Sequence, residues 1–259
     1  MVSVPPATGS ASIDVVAPLT PNAWLRYDVI KRILPAGVSD ILEVGCGQGS
    51  LGARLSQNYR YLGVEPDEVS WAKARRRLAK VGSGEVRNIA FDGLGVEQFD
   101  LVCAFEVLEH IEDDAAAVKE WATRLRDHGW LLLSVPAYQD RFSTADELAG
   151  HFRRYDPAAM AALLTSCGFE DIRIQPYGVP LGYLLEAARN LISKRRLRGT
   201  APSSVAERTA GSGRLLQPSG GIVGIVTRWG TFPFRLLQRA FPKSGTGLVV
   251  LARVSSGGS

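Results

Sequence analysis

Little in this sequence can be cross-linked, and none of it reads as a membrane span. Only three cysteines, Cys46, Cys103 and Cys167, occur in 259 residues, far apart and without a CxxC pair. So sparse and odd a set argues against a disulfide framework or a zinc site and points to a reducing, cytoplasmic setting. Each is expected to act as a small buried hydrophobe. No window holds 18 uninterrupted apolar residues, which excludes a spanning helix on pattern. Residues 1–20 lack a basic segment followed by an apolar one, so they read as a flexible lead and not as a secretory signal. Acid is scarce at the far end. From Arg189 onward there are twelve Lys/Arg and one acid, Glu207, against 18 basic and 25 acidic residues before it. A tail of net +11 suggests an anionic counterpart: a membrane surface, a phosphorylated substrate or nucleic acid.

What is present is an ordinary globular composition, 46% apolar and 22% charged with mean hydropathy +0.02, enough for one α/β domain over residues 21–259. Residues 21–34 carry helical apolar spacing closed by Pro35 and Gly37. Short apolar strands at "DILEVG", "YRYLGVEP", "EVRNIAFDG", "FDLVCAFEVL" and "WLLLSVP" alternate with helices at residues 49–58, 67–81 and 113–129. The last of these is read as ending at a C′ glycine, Gly129, with His128 at the helix terminus, where the dipole favours its cation. A helix closed by Gly168, a sixth strand at "EDIRIQPYG" and a seventh within 248–254 complete the pattern. The rhythm predicts a Rossmann-like, doubly wound parallel sheet with helices on both faces. Residues 178–245 read as a basic substrate-side or membrane-facing insertion, and the Ser/Gly/Pro/Arg-rich stretch 194–221 as irregular.

The most informative stretch is "ILEVGCGQGSLG", with glycines at 45, 47, 49 and 52 directly after a strand ending in Glu43. Glycine there leaves room for a ligand close to the backbone. No Lys-Ser/Thr follows, which excludes a P-loop. An acid aimed at the loop would repel a pyrophosphate and attract an ammonium group, which favours S-adenosylmethionine over NAD. Glu65, ending the second strand twenty residues after Gly45, is placed to take both hydroxyls of a ribose. Asp92 and Gly93, ending the third strand, can offer a carboxylate and an N–H to an adenine. Phe105 and Glu106 end the fourth strand beside the cofactor's methionine end.

Together "ILEVGCGQGSLG", "GVEP", "FDLVCAFEVLEHIEDD" and "GWLLLSVP" resemble the class I S-adenosylmethionine-dependent methyltransferases, above all the branch of the ubiquinone-biosynthesis O-methyltransferases. The resemblance covers residues 24–174. It implies a seven-stranded sheet with an antiparallel last strand. It also implies a cofactor site of Glu43, Gly45, Cys46, Gly47, Gly49, Glu65, Pro66, Asp92, Gly93, Phe105 and Glu106, with Arg26 pairing the cofactor carboxylate.

If the methyl acceptor is a hydroxyl, a base assists, and only three histidines exist. His151, in "ELAGHFRRYD", and His110, in "LEH", are the candidates, while His128 is read as structural. Tyr138, Arg153, Arg154 and Tyr155 are candidate acceptor-binding residues; the arginines would hold a carboxylate or phosphate, or else pair with Asp146, Glu147 or Asp156 to brace the loop. No metal is expected. The aromatic and basic segments around 178–198 and 222–243 resemble interfacial helices on an anionic membrane or, more plainly, core-packing helices with solvated ends. The expected activity is O-methylation of a small-molecule or lipid- or sugar-linked acceptor, releasing S-adenosylhomocysteine. The alternatives are a non-catalytic cofactor-binding partner and a nucleic-acid methyltransferase, although no RNA-binding module is present and nucleic acid is not the expected partner.

Overall fold

The first helix starts at Thr20 and Pro21 for local reasons. The Thr20 hydroxyl accepts from the Ala23 N–H (3.2 Å), and a proline at the first helical position has no N–H to leave unpaired. Helix α1 (Pro21–Ile33) then buries Trp24, Leu25, Val29 and Ile30 along one stripe. The protein is described here by a computed structural model over residues 18–197 and 222–255. Leu19 is already buried ahead of α1, so the packed fold begins before residue 21. Residues 1–17 of the expected lead, and residues 198–221 of the expected irregular stretch, lie outside the described residues. Residues 194–197 continue a helix.

Seven strands form one sheet: β1 (Asp40–Val44), β2 (Arg60–Val64), β3 (Glu85–Arg87), β4 (Phe99–Phe105), β5 (Leu125–Pro136), β6 (Phe169–Tyr177) and β7 (Gly247–Val254). Their order is 3-2-1-4-5-7-6, with β7 antiparallel to both neighbours. The expected Rossmann-like sheet is present. Between them run α2 (Gly52–Leu55), α3 (Glu68–Val81), α4 (Asp114–Ala122), α5 (Thr144–Ala149), α6 (Pro157–Ser166), α7 (Leu181–Leu197), α8 (Ile222–Gly230) and α9 (Phe232–Leu237). One core joins the sheet to α4 and α6 through Trp121, Met160 and Leu164. The other joins it to α1, α2 and α3 through Leu25, Leu55 and Leu78. Strand order reverses between β1 and β4, so a crevice opens at their carboxyl ends.

Three predicted elements are corrected. Only Gly52–Leu55 of the expected helix 49–58 is helical, because Gly49 (φ +72°) takes a left-handed turn ahead of it. Strand β3 stops at Arg87, because the Asn88 amide turns back to donate to the Glu65 and Pro66 carbonyls (2.9 and 3.1 Å) in place of continuing the ladder. Asp92 and Gly93 therefore lie in a 3₁₀ turn, Phe91–Gly93, not at a strand end. Helix α4 ends at Ala122, because buried Leu125 already pairs with Phe99 as the start of β5. His128 is thus exposed in an irregularity of β5 at φ +59°, and the helix-dipole account of it does not apply.

Candidate functional site

The loop after β1 is shaped by its neighbours. At Gly45 (φ +64°) an added Cβ would lie 2.8 Å from Val107 Cγ2, so only glycine lets the two loops close. Gly47 (φ +54°) has open space where a Cβ would point. The Gly47 N–H donates to Glu65 Oε2 (2.8 Å) and the Asp67 N–H to Oε1 (3.0 Å), so Glu65 laces the glycine loop to the end of β2. Each Glu65 oxygen keeps a second lone pair. Burial raises its carboxyl pKa against those two bonds. Cys46 and Gly49 complete the loop, Cys46 buried and Gly49 pressed against Ala74 of α3.

Glu43 lies beneath the loop, buried, and accepts a hydrogen bond from the Tyr61 hydroxyl (2.6 Å). Burial pushes its carboxyl up to about 7. On the far side of the loop is an apolar cleft of about 410 Å³, lined by Pro66, Ile89, Phe91, Val107 and Ile111 among others. Asp92 is exposed on the turn that follows Phe91.

A second cluster collects where β4 and β5 end. Glu106 holds φ +59°; its Oε1 lies 3.0 Å from Arg26 Nη1 and accepts from the Ser134 hydroxyl (2.9 Å) and the Tyr177 hydroxyl (3.3 Å). Burial alone would raise its pKa, but Arg26 and Ser134 outweigh it and hold it below the usual value. Arg26 lies over the Phe105 ring, and its Nε is buried without a hydrogen-bond partner. Glu109 is fully buried with both oxygens unpartnered, and burial together with the Glu106 charge holds it well above the carboxylate range.

His151 meets Glu109 here. Its Nε2 is 3.9 Å from Glu109 Oε1, its Nδ1 is 3.0 Å from Asp146 Oδ1, and its side chain is 8% exposed. His110 packs edge-on against the same ring at 4.7 Å, with its Nδ1 3.3 Å from the Gly150 carbonyl. Burial and the neighbouring His151 lower it to about 4. Asp146 also accepts from Arg154 Nη2 (2.7 Å), and Arg154 reaches Glu186 with its other nitrogen. Burial would raise Asp146, yet the bonds from His151 and Arg154 hold it well below its ordinary value. The two histidines and Glu109 each place one donor atom within 4.8 Å of the others, an arrangement that could hold a metal ion and that was not expected from the sequence.

The candidate acceptor residues divide. Arg154 is 1% exposed, and its two terminal nitrogens are taken by Asp146 and Glu186, which favours the bracing alternative. Arg153 pairs with Asp114 (2.7 Å) and Tyr155 donates to the same carboxylate (3.0 Å). Tyr138 (φ +64°) donates to the Lys243 carbonyl (3.1 Å). A cavity of about 300 Å³ beside this group is lined by Arg141, Tyr183, Glu186, Ala187 and Asn190, and Arg141 stacks on the Tyr183 ring at 4.5 Å. Sequence reading missed Glu109 and Glu186 as site residues and Asp146 as the histidine's partner. Glu109 stands in the "LEH" already singled out and Asp146 five residues before His151, whereas nothing local marks Glu186.

With this geometry in hand, residues 42–131 match a family described as a methyltransferase domain. That region is similar to methyltransferase domains. A probable S-adenosylmethionine-dependent methyltransferase of Mycolicibacterium smegmatis is 33% identical over 175 residues, 64% of this chain and 65% of the relative. A ubiquinone biosynthesis O-methyltransferase of Albidiferax ferrireducens is 29% identical over 121 residues, 43% and 46% of the two chains. The chain thus spans less than two thirds of the curated relatives it matches. The fold is shared with Haemonchus contortus phosphoethanolamine N-methyltransferase 2, solved with S-adenosyl-L-methionine, at TM-score 0.57 and 14% identity over 89% of this chain and 53% of that one.

The residues around the glycine loop fit S-adenosylmethionine. The apolar cleft suits an adenine, Glu65 a diol and the open face of Gly47 a close backbone approach. Arg26 suits a carboxylate, and Glu106, held below its usual value beside it, an ammonium or sulfonium, while Glu43 lies buried beneath the loop on Tyr61. A ring of acids around the glycine loop is a poor seat for a pyrophosphate.

Proposed function

We propose that the protein is an S-adenosylmethionine-dependent O-methyltransferase acting on a small-molecule or lipid- or sugar-linked hydroxyl. The observation that carries the choice of oxygen is the Asp146–His151 pair beside the cluster at the ends of β4 and β5. Asp146 is held ionised, so the imidazole proton belongs on Nδ1, where it donates to Asp146, and Nε2 keeps its lone pair. A base in that tautomer can take a proton from an acceptor hydroxyl. The cofactor supplies the activated methyl group. Arg26, Glu43, Glu65 and the glycine loop are assigned to hold it, and positioning does much of the work, because a sulfonium is already a good leaving group. Tyr138, Tyr155 and Arg153 are assigned to the acceptor side. The relatives named for ubiquinone-biosynthesis O-methylation support the same acceptor atom.

The donor arrangement of Glu109, His110 and His151 favours a second reading of the base. A divalent cation held there would lower the pKa of a coordinated acceptor hydroxyl, and each histidine already has its other nitrogen facing an oxygen, Asp146 or the Gly150 carbonyl. The test is transfer of labelled methyl from the cofactor to a panel of phenols, catechols and sugars, with and without a chelator. O-methylated product supports the proposal, and loss with chelator that zinc or manganese restores selects the metal reading. Cofactor binding without transfer to any panel member favours the non-catalytic partner.

A further inference from the structure

Helix α8 is built inside out. Its inward side carries Gly224, close against Pro18, and Thr227, whose hydroxyl is spent on its own helix, donating to the Val223 carbonyl (2.7 Å). Arg228 also faces the body of the protein, over the Trp24 ring at 5.9 Å. The outward side carries Val223, Ile225, Val226 (62% exposed) and Trp229 (63% exposed). Helix α9 extends the face with Phe232, Leu236 and Leu237, and Phe241 follows. A soluble protein places apolar side chains outward on this scale where something covers them. The helices are seated firmly: buried Gln238, just after α9, donates to the Leu25 carbonyl (3.1 Å) and accepts from the Gly178 N–H (3.1 Å).

Charge selects the occupant. From residue 208 to the end there is no Asp or Glu; Arg228 and Arg235 lie inward over the Trp24 ring, and the cations at the outer rim of the apolar face are Arg239 and Lys243. Arg239 is answered by Asp28 (2.8 Å), and Lys243 is exposed. A second copy docked symmetrically would set cations against cations. The residues 198–221 carry three arginines and one glutamate, so they bring no complementary charge. Exposed tryptophan and phenylalanine beside cations, with no acid among them, match the interfacial zone of an anionic bilayer. No described helix is long and apolar enough to cross a membrane, so the contact is in the plane of the surface.

We propose that α8 and α9 dock the protein on the surface of an anionic lipid bilayer. Trp229 and Val226 enter the headgroup boundary, with Lys243 at the phosphates. Helix α1 lies beneath and carries Arg26, so docking holds the methyltransferase site next to lipid. The docking stands independently of turnover.

Flotation of the full chain with vesicles of phosphatidylcholine, with and without phosphatidylglycerol, tests it. Binding to the anionic vesicles is expected at low salt, weakening by roughly tenfold or more in high salt, in neutral vesicles and in the double variant Val226→Glu, Trp229→Glu. Both side chains are exposed, so the variant should keep the parent's unfolding temperature; Val226→Ser, Trp229→Ser replaces it if it does not. Absence of flotation at low salt overturns the proposal, as does flotation that neither variant weakens. A dimer that the variants dissociate, with no vesicle binding, assigns the face to a second copy and overturns it too.

Discussion

Asp146 Oδ1 and His151 Nδ1 stand 3.0 Å apart, and the carboxylate's other oxygen is taken by Arg154. One buried acid therefore orients the imidazole and ties its loop to Glu186 on α7. Asp146→Asn keeps the shape but lets the amide offer an N–H to Nδ1, which moves the imidazole proton to Nε2. The methyl transfer rate should fall roughly a hundredfold or more, with cofactor affinity unchanged. Nitrogen NMR of the imidazole should show the exchange of tautomers without any acceptor present. An unaltered tautomer, or a wild-type rate, removes Asp146 from this role.

Arg154 is the fully enclosed cation between two carboxylates. Arg154→Ala leaves Asp146 and Glu186 buried against fewer partners and should cost about 3–5 kcal/mol in chemical denaturation. Arg153, which is part-exposed on Asp114, should cost under about 1 kcal/mol when changed to alanine. Equal losses would mean that Arg154 braces nothing.

Glu65 has two duties in this geometry, the lacing of Gly47 and the proposed grip on a diol. Glu65→Ala should weaken S-adenosylmethionine binding about tenfold or more, the loss of two charge-assisted bonds. Glu65→Gln, which can still accept one bond from Gly47, should fall between. Calorimetry that finds one affinity for all three proteins ends the assignment.

Glu43 gives stability a direction in pH. Its ordinary value near 4.5 is pushed up to about 7 in the fold, chiefly by burial. The folded state therefore holds a proton that the unfolded chain has lost, and Glu43 favours the fold fully below pH 4.5 and progressively less up to about 7. Thermal unfolding without ligand should show a loss between pH 4.5 and about 7, at most about 3 kcal/mol from this group, that Glu43→Gln reduces. A variant with the parent's pH slope would contradict the buried, raised carboxyl.

Much of this was legible in the sequence because its causes are local. Apolar runs gave the seven strands. Pro21 opened α1, and Asp67, whose side chain accepts from the Ser70 N–H (2.9 Å), opened α3. The glycines after β1, with Glu43 and Glu65 at strand ends, marked the crevice before any coordinates. What escaped depends on long-range partners. Asn88 ends β3 by reaching a neighbouring strand's loop, and Leu125 leaves a helical pattern because Phe99 offers it a place in the sheet. Glu186 joins Asp146 only after α7 packs across α5, and the outward turn of α8 is invisible until Gly224 meets Pro18.

The most direct test of the central claim is calorimetric titration of the purified protein with S-adenosylmethionine, S-adenosylhomocysteine and NAD. The account predicts micromolar binding of the first two and silence from NAD, because Glu65 and Glu106 set acid beside the loop and Arg26, the cation next to them, is already paired with Glu106. Binding of NAD, with silence from both sulfur ligands, would contradict it.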